Sequence, residues 1–198
     1  MLAVTDRRTQ LLDAALDVVG DRGLRALTHR AVDAAAGVPT GSASNVFRSR
    51  ADLVAALLDR LLERETAVWE QLADPGTGPP RTRAEALDGT VATLASTVTA
   101  LLGPARSLSL ARQALFHEAA YEPDLQRRVT GARERLVHRA RAWLGGLGLH
   151  VDDAGLALLL ATLNGMLANQ IAGPEPGFDP AASLRIVLEA VAEPEEER

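Results

Sequence analysis

The stretch GVPTGSASNVFRSR, Gly37 to Arg50, decides the fold of this 198-residue chain. It stands between a short segment rich in Ala and a long one rich in Leu, and it carries Ser and Asn where a helical core requires Leu. Gly37 suits the left-handed conformation that ends a helix, and a short helix is predicted to follow Pro39 and to end near Val46. These small polar residues are therefore expected on a surface and not in a core.

The remaining chain is predicted to be helical throughout. Apolar residues recur at helical spacing, N-cap residues such as Thr28 and Ser49 precede the periodic segments, and Gly or Pro ends them. Two breaks, 74–80 and 173–180, are rich in Gly and Pro, and no segment alternates as a strand does. The nine predicted helices are one that ends at 20–23, then 28–36, 39–46, 49–72, 81–102, 105–121, 123–147, 152–172 and 180–192.

Two helices joined by a tight Gly-containing turn, the second short and built from small residues, predict a helix-turn-helix. In that motif the second helix enters the major groove of DNA, so its outward side chains must be slim and must offer hydrogen-bond donors and acceptors. Val32, Val38 and Phe47 are expected to hold the two helices together. The candidate DNA-binding residues are Thr28, His29, Arg30, Thr40, Gly41, Ser42, Ser44, Asn45, Arg48 and Arg50.

These candidates have different expected roles. Asn45 is the candidate for base recognition, because a carboxamide can pair with an adenine edge, although it can also cap the end of the short helix. Arg48 and Arg50 stand where the next helix begins and are expected to contact phosphates. His29 and Arg30 either contact phosphates or lie on the solvated face of the second helix.

The segment GLRALTHRAVDAAAGVPTGSASNVFRSRADLV, residues 23–54, resembles the DNA-binding segment of the TetR family of bacterial transcriptional regulators. The similarity covers about residues 7–60, and residues 111–125 are similar to a later helical segment of many members. The chain departs from the commonest family pattern at Ala43, Ser44 and Val46, where Leu, Tyr and an aromatic residue or His are usual. The resemblance implies an all-helical dimer with an effector-binding domain after residue 60. The matching features are Thr28, Ala36–Val38, Gly41–Ser42, Phe47, Arg50 and Asp52–Leu53.

Composition narrows the possible chemistry. The chain is 47% apolar and 24% charged, with a net charge of −5, which is normal for a folded globular protein. It has no Cys, and all 21 basic residues are Arg, so thiolate sites and a Walker A lysine are excluded. Residues 1–60 contain 8 Arg and 7 Asp, whereas residues 61–198 contain 13 Arg and 19 acidic residues. Only the first segment is therefore expected to face phosphates.

Neither a metal, a cofactor nor an enzymatic activity is predicted. The four His residues have no partner at metal-ligand spacing, no nucleophile and base stand in a distinctive order, and GGLGL at 145–149 follows a helix and not a strand. No signal peptide and no membrane span are predicted, so we expect a cytoplasmic protein without a membrane partner.

A small-molecule pocket is expected in the second region, where polar or aromatic residues interrupt apolar helical faces. Each of these residues can instead be an ordinary core residue. The acidic charge of this region favours a neutral or cationic effector, whose identity the sequence leaves open. The candidate ligand-binding residues are Trp69, Gln113, Phe116, His117, Trp143, Asn164 and Asn169.

A homodimer interface is expected on the last two helices. Helix 152–172 is apolar on nearly every face, and a helix of this kind is buried all round, either by a second copy or as the central helix of a monomer. The final helix has a single apolar stripe, which suits a two-fold four-helix interface. The candidate interface residues are Leu156, Leu159, Leu160, Leu163, Leu167, Leu184, Val187, Leu188 and Val191.

The predicted organisation is an all-α protein with a helix-turn-helix domain at 1–50, an effector-binding and dimerisation domain at 51–192, and a flexible acidic tail at 193–198. Helix 49–72 connects the two domains. The predicted function is a transcriptional repressor that a small molecule releases from a palindromic operator in double-stranded DNA. The alternative is a helical small-molecule-binding protein or enzyme in which the helix-turn-helix is structural only.

Overall fold

The computed structural model describes residues 7–72, 80 and 82–193. The all-α fold class is confirmed, and each predicted helix is present with its ends shifted by at most three residues. Most of the predicted break at 74–80, and all of the predicted tail at 193–198 except Glu193, lie outside the described residues. A 3₁₀ turn at Leu24–Ala26 follows the first helix. In the described part of the chain the helices are α1 (Arg7–Arg22), α2 (His29–Ala35), α3 (Ser42–Val46), α4 (Arg50–Leu72), α5 (Arg83–Leu102), α6 (Arg106–Ala119), α7 (Pro123–Gly146), α8 (Asp153–Ala172) and α9 (Pro180–Val191).

The helix ends near the opening stretch form as their local sequence predicts. Thr28 caps α2, its hydroxyl accepting a hydrogen bond from the amide of Ala31 at 3.1 Å. Ser49 and Asp52 form a reciprocal capping box at α4, because the amide of each residue donates to the side chain of the other, at 3.1 and 3.0 Å. Gly37 has a φ of 64°, in the left-handed region that glycine tolerates.

One prediction about secondary structure is wrong. The sequence predicts no strand, but β1 (His150–Val151) pairs antiparallel with β2 (Ala192–Glu193). Two residues are too few to show an alternating pattern. The guanidinium of Arg83 donates to the carbonyl of Ala192 at 2.8 Å, which ties the start of α5 to the end of α9.

The helices pack into two units that differ from the predicted division after residue 50. The described residues within Met1–Thr66 and Ala105–Ala132 form the first unit, and those within Ala67–Pro104 and Arg133–Arg198 form the second. Helix α6 therefore belongs with the helix-turn-helix, because Leu115 and Ala111 of α6 are buried in the same core as Leu11 and Leu57.

Within the first unit, α1 and α6 approach each other closely at Gly20. A Cβ atom at this position would lie 2.2 Å from the carbonyl oxygen of Ser107. Ser107 also donates its hydroxyl to Asp21 at 3.1 Å. The absence of a side chain at Gly20 thus permits the two helices to touch through their backbones.

The core of the second unit contains most of the residues predicted to form the dimer interface. Three of the predicted interface residues, Leu163, Val187 and Val191, are partly buried and pack against that core. The exposed large apolar residues of α8 and α9 are instead Leu158 and Ile186, which are 50% and 71% exposed. A helix that is apolar all round does not reveal which face its own subunit covers. The predicted interface residues that the chain buries by itself are Leu156, Leu159, Leu160, Leu167, Leu184 and Leu188.

Among the described residues, α8 is the single helix long and apolar enough to cross a membrane by itself, and α5 with α6 passes the same test only as a pair bent by 84°. Core helices of soluble proteins pass this test as well.

Candidate nucleic-acid interface

Helices α2 and α3 form the helix-turn-helix, and small apolar contacts hold them together. Val32 and Ala43 are fully buried, and Phe47, immediately after α3, is 2% exposed. Val38 in the turn is partly buried against the same core. The predicted roles of Val32, Val38 and Phe47 in the packing are confirmed, and the small side chain of Ala43 allows α3 to lie close to α2.

The outer face of α3 is polar and accessible. Thr40, Ser44 and Asn45 are exposed, and Gly41 and Ser42 are half-buried. The hydroxyls of Ser42 and Ser44 donate to backbone carbonyls three residues earlier, at 2.6 and 2.9 Å, so their free lone pairs remain as acceptors. Asn45 makes no side-chain hydrogen bond to any part of the chain that the structure describes. This face offers both donors and acceptors to a ligand.

Asp33 is a residue of this site that the sequence analysis missed. Its side chain is buried, with 2% exposure, and its two carboxylate oxygens accept hydrogen bonds from the amides of Gly41 and Ala43, each at 2.7 Å. Gly41 has a φ of 97°, which places its amide toward α2. The sequence feature that could have pointed to this role is an acidic residue directly after the core residue Val32.

Arg50 has a structural role that the sequence did not predict. Its guanidinium donates to the carbonyls of Leu27 and Leu24, the latter at 2.9 Å, and so closes the turn between α1 and α2. A phosphate would have to compete with these two bonds. Arg48 is exposed and is better placed for the predicted phosphate contact.

The other three candidate DNA-binding residues lie at the start of α2 and differ in their exposure. Thr28 and Arg30 are exposed, whereas His29 is half-buried. The Nε2 atom of His29 is buried and has no hydrogen-bond partner among the described residues. This geometry favours Arg30 over His29 for a phosphate contact, and a DNA contact by any candidate residue remains a prediction.

The acidic residues of the first sixty positions are largely engaged inside the first unit. Asp13 accepts two bonds from Arg60, at 2.8 and 3.0 Å, and Asp59 pairs with Arg128. Asp33 and Asp52 hold the starts of α3 and α4. The exposed charge of this segment is therefore dominated by arginines, which favours a polyanion as ligand. The exposed arginines are Arg7, Arg8, Arg22, Arg25, Arg30, Arg48 and Arg50.

The structure does not bring the candidate ligand-binding residues together in one unit. Gln113, Phe116 and His117 lie on α6 in the first unit, and the second unit contains Trp143, which is half-buried, and Asn164 and Asn169, which are exposed. The side chain of Trp69 lies outside the described residues. Within the described residues, no three His, Asp or Glu side chains are grouped to hold a metal ion.

A charged pair lies beside Phe116 in the first unit. Arg112 Nε lies 2.8 Å from Glu65 Oε1, and the Arg112 guanidinium stands 4.0 Å from the centre of the Phe116 ring. Burial raises the pKa of the Glu65 carboxyl, and Arg112 opposes this shift. Phe116 also lines a surface depression of about 260 Å³ between α6 and α7.

A helix-turn-helix whose apolar side chains are buried between its helices, and whose outer face is polar, is typical of one class of DNA-binding proteins. Two family models match the chain: "Bacterial regulatory proteins, tetR family" at residues 11–57 and "Tetracyclin repressor-like, C-terminal domain" at residues 85–194. The chain belongs to the TetR family and is a TetR-family transcriptional regulator, in agreement with the resemblance found in its sequence.

A curated relative, the HTH-type transcriptional repressor KstR2 of Mycolicibacterium smegmatis, is 34% identical over 73 residues. That alignment covers 37% of this chain and only 36% of the relative.

Solved structures match nearly the whole chain. The multidrug binding protein EbrR complexed with ethidium is 26% identical with a TM-score of 0.69, over 95% of this chain and 99% of that one. A TetR-family member from Streptomyces coelicolor, SCO1917, is 25% identical with a TM-score of 0.67, over the same shares. A transcriptional regulator from Rhodococcus sp. Rha1 has a TM-score of 0.73 over 93% and 95% of the two chains, but at 23% identity it shows the fold alone.

Proposed function

We propose that this regulator is a homodimeric repressor that reads a palindromic operator and leaves it when a small molecule binds. The observation that carries the proposal is the exposed polar surface formed by Ser44 and Asn45 of α3 and by Thr40 of the preceding turn, on a packed helix-turn-helix. The similarity to the repressor KstR2, which extends over about a third of that protein, supports repression rather than activation. We propose no catalytic role for the protein. We propose that it acts in the cytoplasm.

The proposed division of labour follows exposure and hydrogen bonding. Asn45 on α3 and Thr40 in the turn before it read base edges, because both side chains are exposed and α3 is slim enough for the major groove. Arg30 and Arg48 contact phosphates, which adds affinity without sequence information. Arg50 supports the site from inside the unit through its bonds to backbone carbonyls.

The second copy is proposed to cover the outward face of α8 together with Ile186 of α9. This face repeats at the spacing i, i+4, i+7, and its mostly small side chains permit a close approach between helices. An exposed apolar stripe of this length is unfavourable in water and is typical of an interface. A two-fold dimer also presents two readers to a palindrome. The stripe consists of Ala154, Leu158, Ala161, Gly165, Ala168 and Ala172.

The proposed effector site includes Phe116 and the pair formed by Glu65 and Arg112. The partly buried carboxylate of Glu65 and the ring of Phe116 favour a neutral or cationic organic molecule. EbrR, which is described as a multidrug binding protein and was crystallised with ethidium, supports an aromatic cation as a first probe. Effector binding releases DNA if it favours a dimer whose two recognition helices are wrongly spaced, which requires a few kcal/mol of differential affinity.

Two experiments test this function. In a gel shift with the DNA that flanks the gene, the protein should retard at least one fragment at low salt, whereas no shift on any fragment would favour the helical binding protein or enzyme. Calorimetric titration with ethidium, without DNA because ethidium itself binds DNA, should show weaker binding to Glu65→Gln than to the wild type. Equal binding would place the effector elsewhere.

A further inference from the structure

The carboxylate of Asp33 belongs to α2 but ends on the first turn of α3. It accepts hydrogen bonds from the amides of Gly41 and Ala43, each at 2.7 Å, and the side chain of Asp33 is buried. We propose that Asp33 is the positioning residue of the DNA reader: it fixes the orientation of α3 and thereby sets the specificity of DNA binding. This inference rests on the proposed function.

No residue of α3 caps the helix locally. Gly41 occupies the N-cap position without a side chain, and the hydroxyls of Ser42 and Ser44 donate to carbonyls and do not accept the free amides. A helix of five residues is not stable by itself. Its orientation must come from contacts with the rest of the unit, and Asp33 supplies the directional ones.

The charge of Asp33 suits this task. A carboxylate has two oxygens and accepts both amides at once, and a negative charge is favourable near the start of a helix. Asparagine has a similar shape but only one acceptor oxygen, so Asp33→Asn leaves the amide of Gly41 or Ala43 facing an NH₂ group. The apolar contacts of Val32, Ala43 and Phe47 remain in that variant.

The substitution should affect base reading more than general DNA affinity. Asn45 and Thr40 recognise bases only when α3 lies in one orientation, since hydrogen bonds to base edges depend steeply on distance and angle. Arg30 and Arg48 lie outside α3 and provide the sequence-independent affinity. A defect confined to the orientation of α3 therefore lowers the ratio of specific to non-specific binding.

The test compares Asp33→Asn with Asp179→Asn. Asp179 caps α9 through one hydrogen bond, to the amide of Ala181 at 2.9 Å, and asparagine caps a helix as well as aspartate does. The operator is first identified by selecting bound sequences from random DNA with the wild type. Dissociation constants are then measured for this operator and for random DNA of equal length, at one salt concentration and well below the melting temperatures. For Asp33→Asn the specificity ratio should fall by about tenfold or more, as when one base-reading side chain is removed, while affinity for random DNA stays within about twofold of the wild type. Asp179→Asn should leave both constants unchanged.

The outcomes separate the inference from the function on which it rests. A wild-type specificity ratio in Asp33→Asn would overturn the positioning role and reduce Asp33 to a structural cap. A wild-type protein that prefers no sequence would overturn the proposed function and this inference with it.

A second measurement needs no variant and can refute the inference even if Asp33→Asn does not fold. In the wild type, the amides of Gly41 and Ala43 have no acceptor within α3, so hydrogen exchange reports the bonds to Asp33 directly. We expect both amides to exchange as slowly as the helical amide of Asn45, which donates to the Gly41 carbonyl at 3.1 Å. Exchange of both at the rate of open loop amides would overturn the proposal.

Discussion

Replacing Gly20 by Ala tests the packing that joins α6 to the helix-turn-helix. The added Cβ would lie 2.1 Å from the Ser107 hydroxyl oxygen and 2.2 Å from the Ser107 carbonyl oxygen. Ordinary contacts begin at 3.4 Å, so α1 and α6 must separate by about 1 Å. The carbonyl cannot rotate away, because it belongs to the backbone of α6.

The expected effect is a net loss of stability. Helix propensity alone favours Ala over Gly by about 0.8–1 kcal/mol, and overpacking of this kind costs about 1–3 kcal/mol and more where backbone must shift. We expect Gly20→Ala to lower the free energy of unfolding by about 1–2 kcal/mol, which corresponds to a fall in melting temperature of about 2–8 °C for a chain of this size. Urea and thermal denaturation followed by circular dichroism measure both quantities.

Gly89→Ala in α5 is the matched control. Nothing lies within 4 Å of a Cβ atom built at Gly89, which is exposed within the helix, so this variant should gain about 0.5–1 kcal/mol. Adding Ser107→Ala to Gly20→Ala should restore only part of the stability, since the carbonyl oxygen remains. If both glycine variants were stabilised alike, the close approach of α1 and α6 would be refuted.

Three further predictions concern Glu65, the two arginines after α3, and Ile186. Because burial raises the pKa of Glu65 above its ordinary value of 4.5, the folded state binds this proton more tightly than the unfolded state. The wild type should therefore gain stability relative to Glu65→Gln as the pH falls from 7 toward 4.5. Urea midpoints of the two proteins that change equally with pH would contradict this. Arg50→Ala should lower the melting temperature, because the carbonyls of Leu27 and Leu24 lose their bonds to the guanidinium and, among the described residues, only that of Leu24 keeps a second donor, the amide of Leu27. Arg48→Ala should keep the melting temperature and reduce the slope of log K against log salt by about 1 for each phosphate that is no longer neutralised. Ile186→Glu, at a position that is 71% exposed in the single chain, should halve the mass in light scattering and keep the helical spectrum, since an unpaired charge in a two-fold interface is penalised twice; an unchanged mass would place the interface elsewhere.

Local sequence was sufficient for the helices and their ends. The caps at Thr28 and Ser49 and the left-handed Gly37 depend on residues within three positions, so they can be predicted without knowledge of the packing. The apolar contacts of Val32 and Phe47 were also predictable, because the helix-turn-helix pattern requires them.

The missed features depend on tertiary contacts. Asp33 reaches amides eight and ten residues away, and Arg50 reaches carbonyls more than twenty residues back, so neither role is visible in local spacing. The burial of Leu184 and Leu188 within the chain's own core could not be distinguished from burial against a second copy, because both produce the same apolar stripe. The grouping of α6 with the first unit rests on its packing against α1, for which the sequence contains no separate signal.

The most direct measurement of the central claim, that the outer face of α3 reads DNA, is selection of bound sequences from random DNA with the wild type and with Asn45→Ala. We expect the wild type to select one palindromic motif, and Asn45→Ala to lose the preference at one position of each half-site, worth about 1–3 kcal/mol of discrimination. The melting temperature and the salt slope should stay unchanged, because Asn45 is exposed and is proposed to contact a base and not a phosphate. A wild type that selects no motif, or a variant that selects the same motif with equal strength, would contradict the claim.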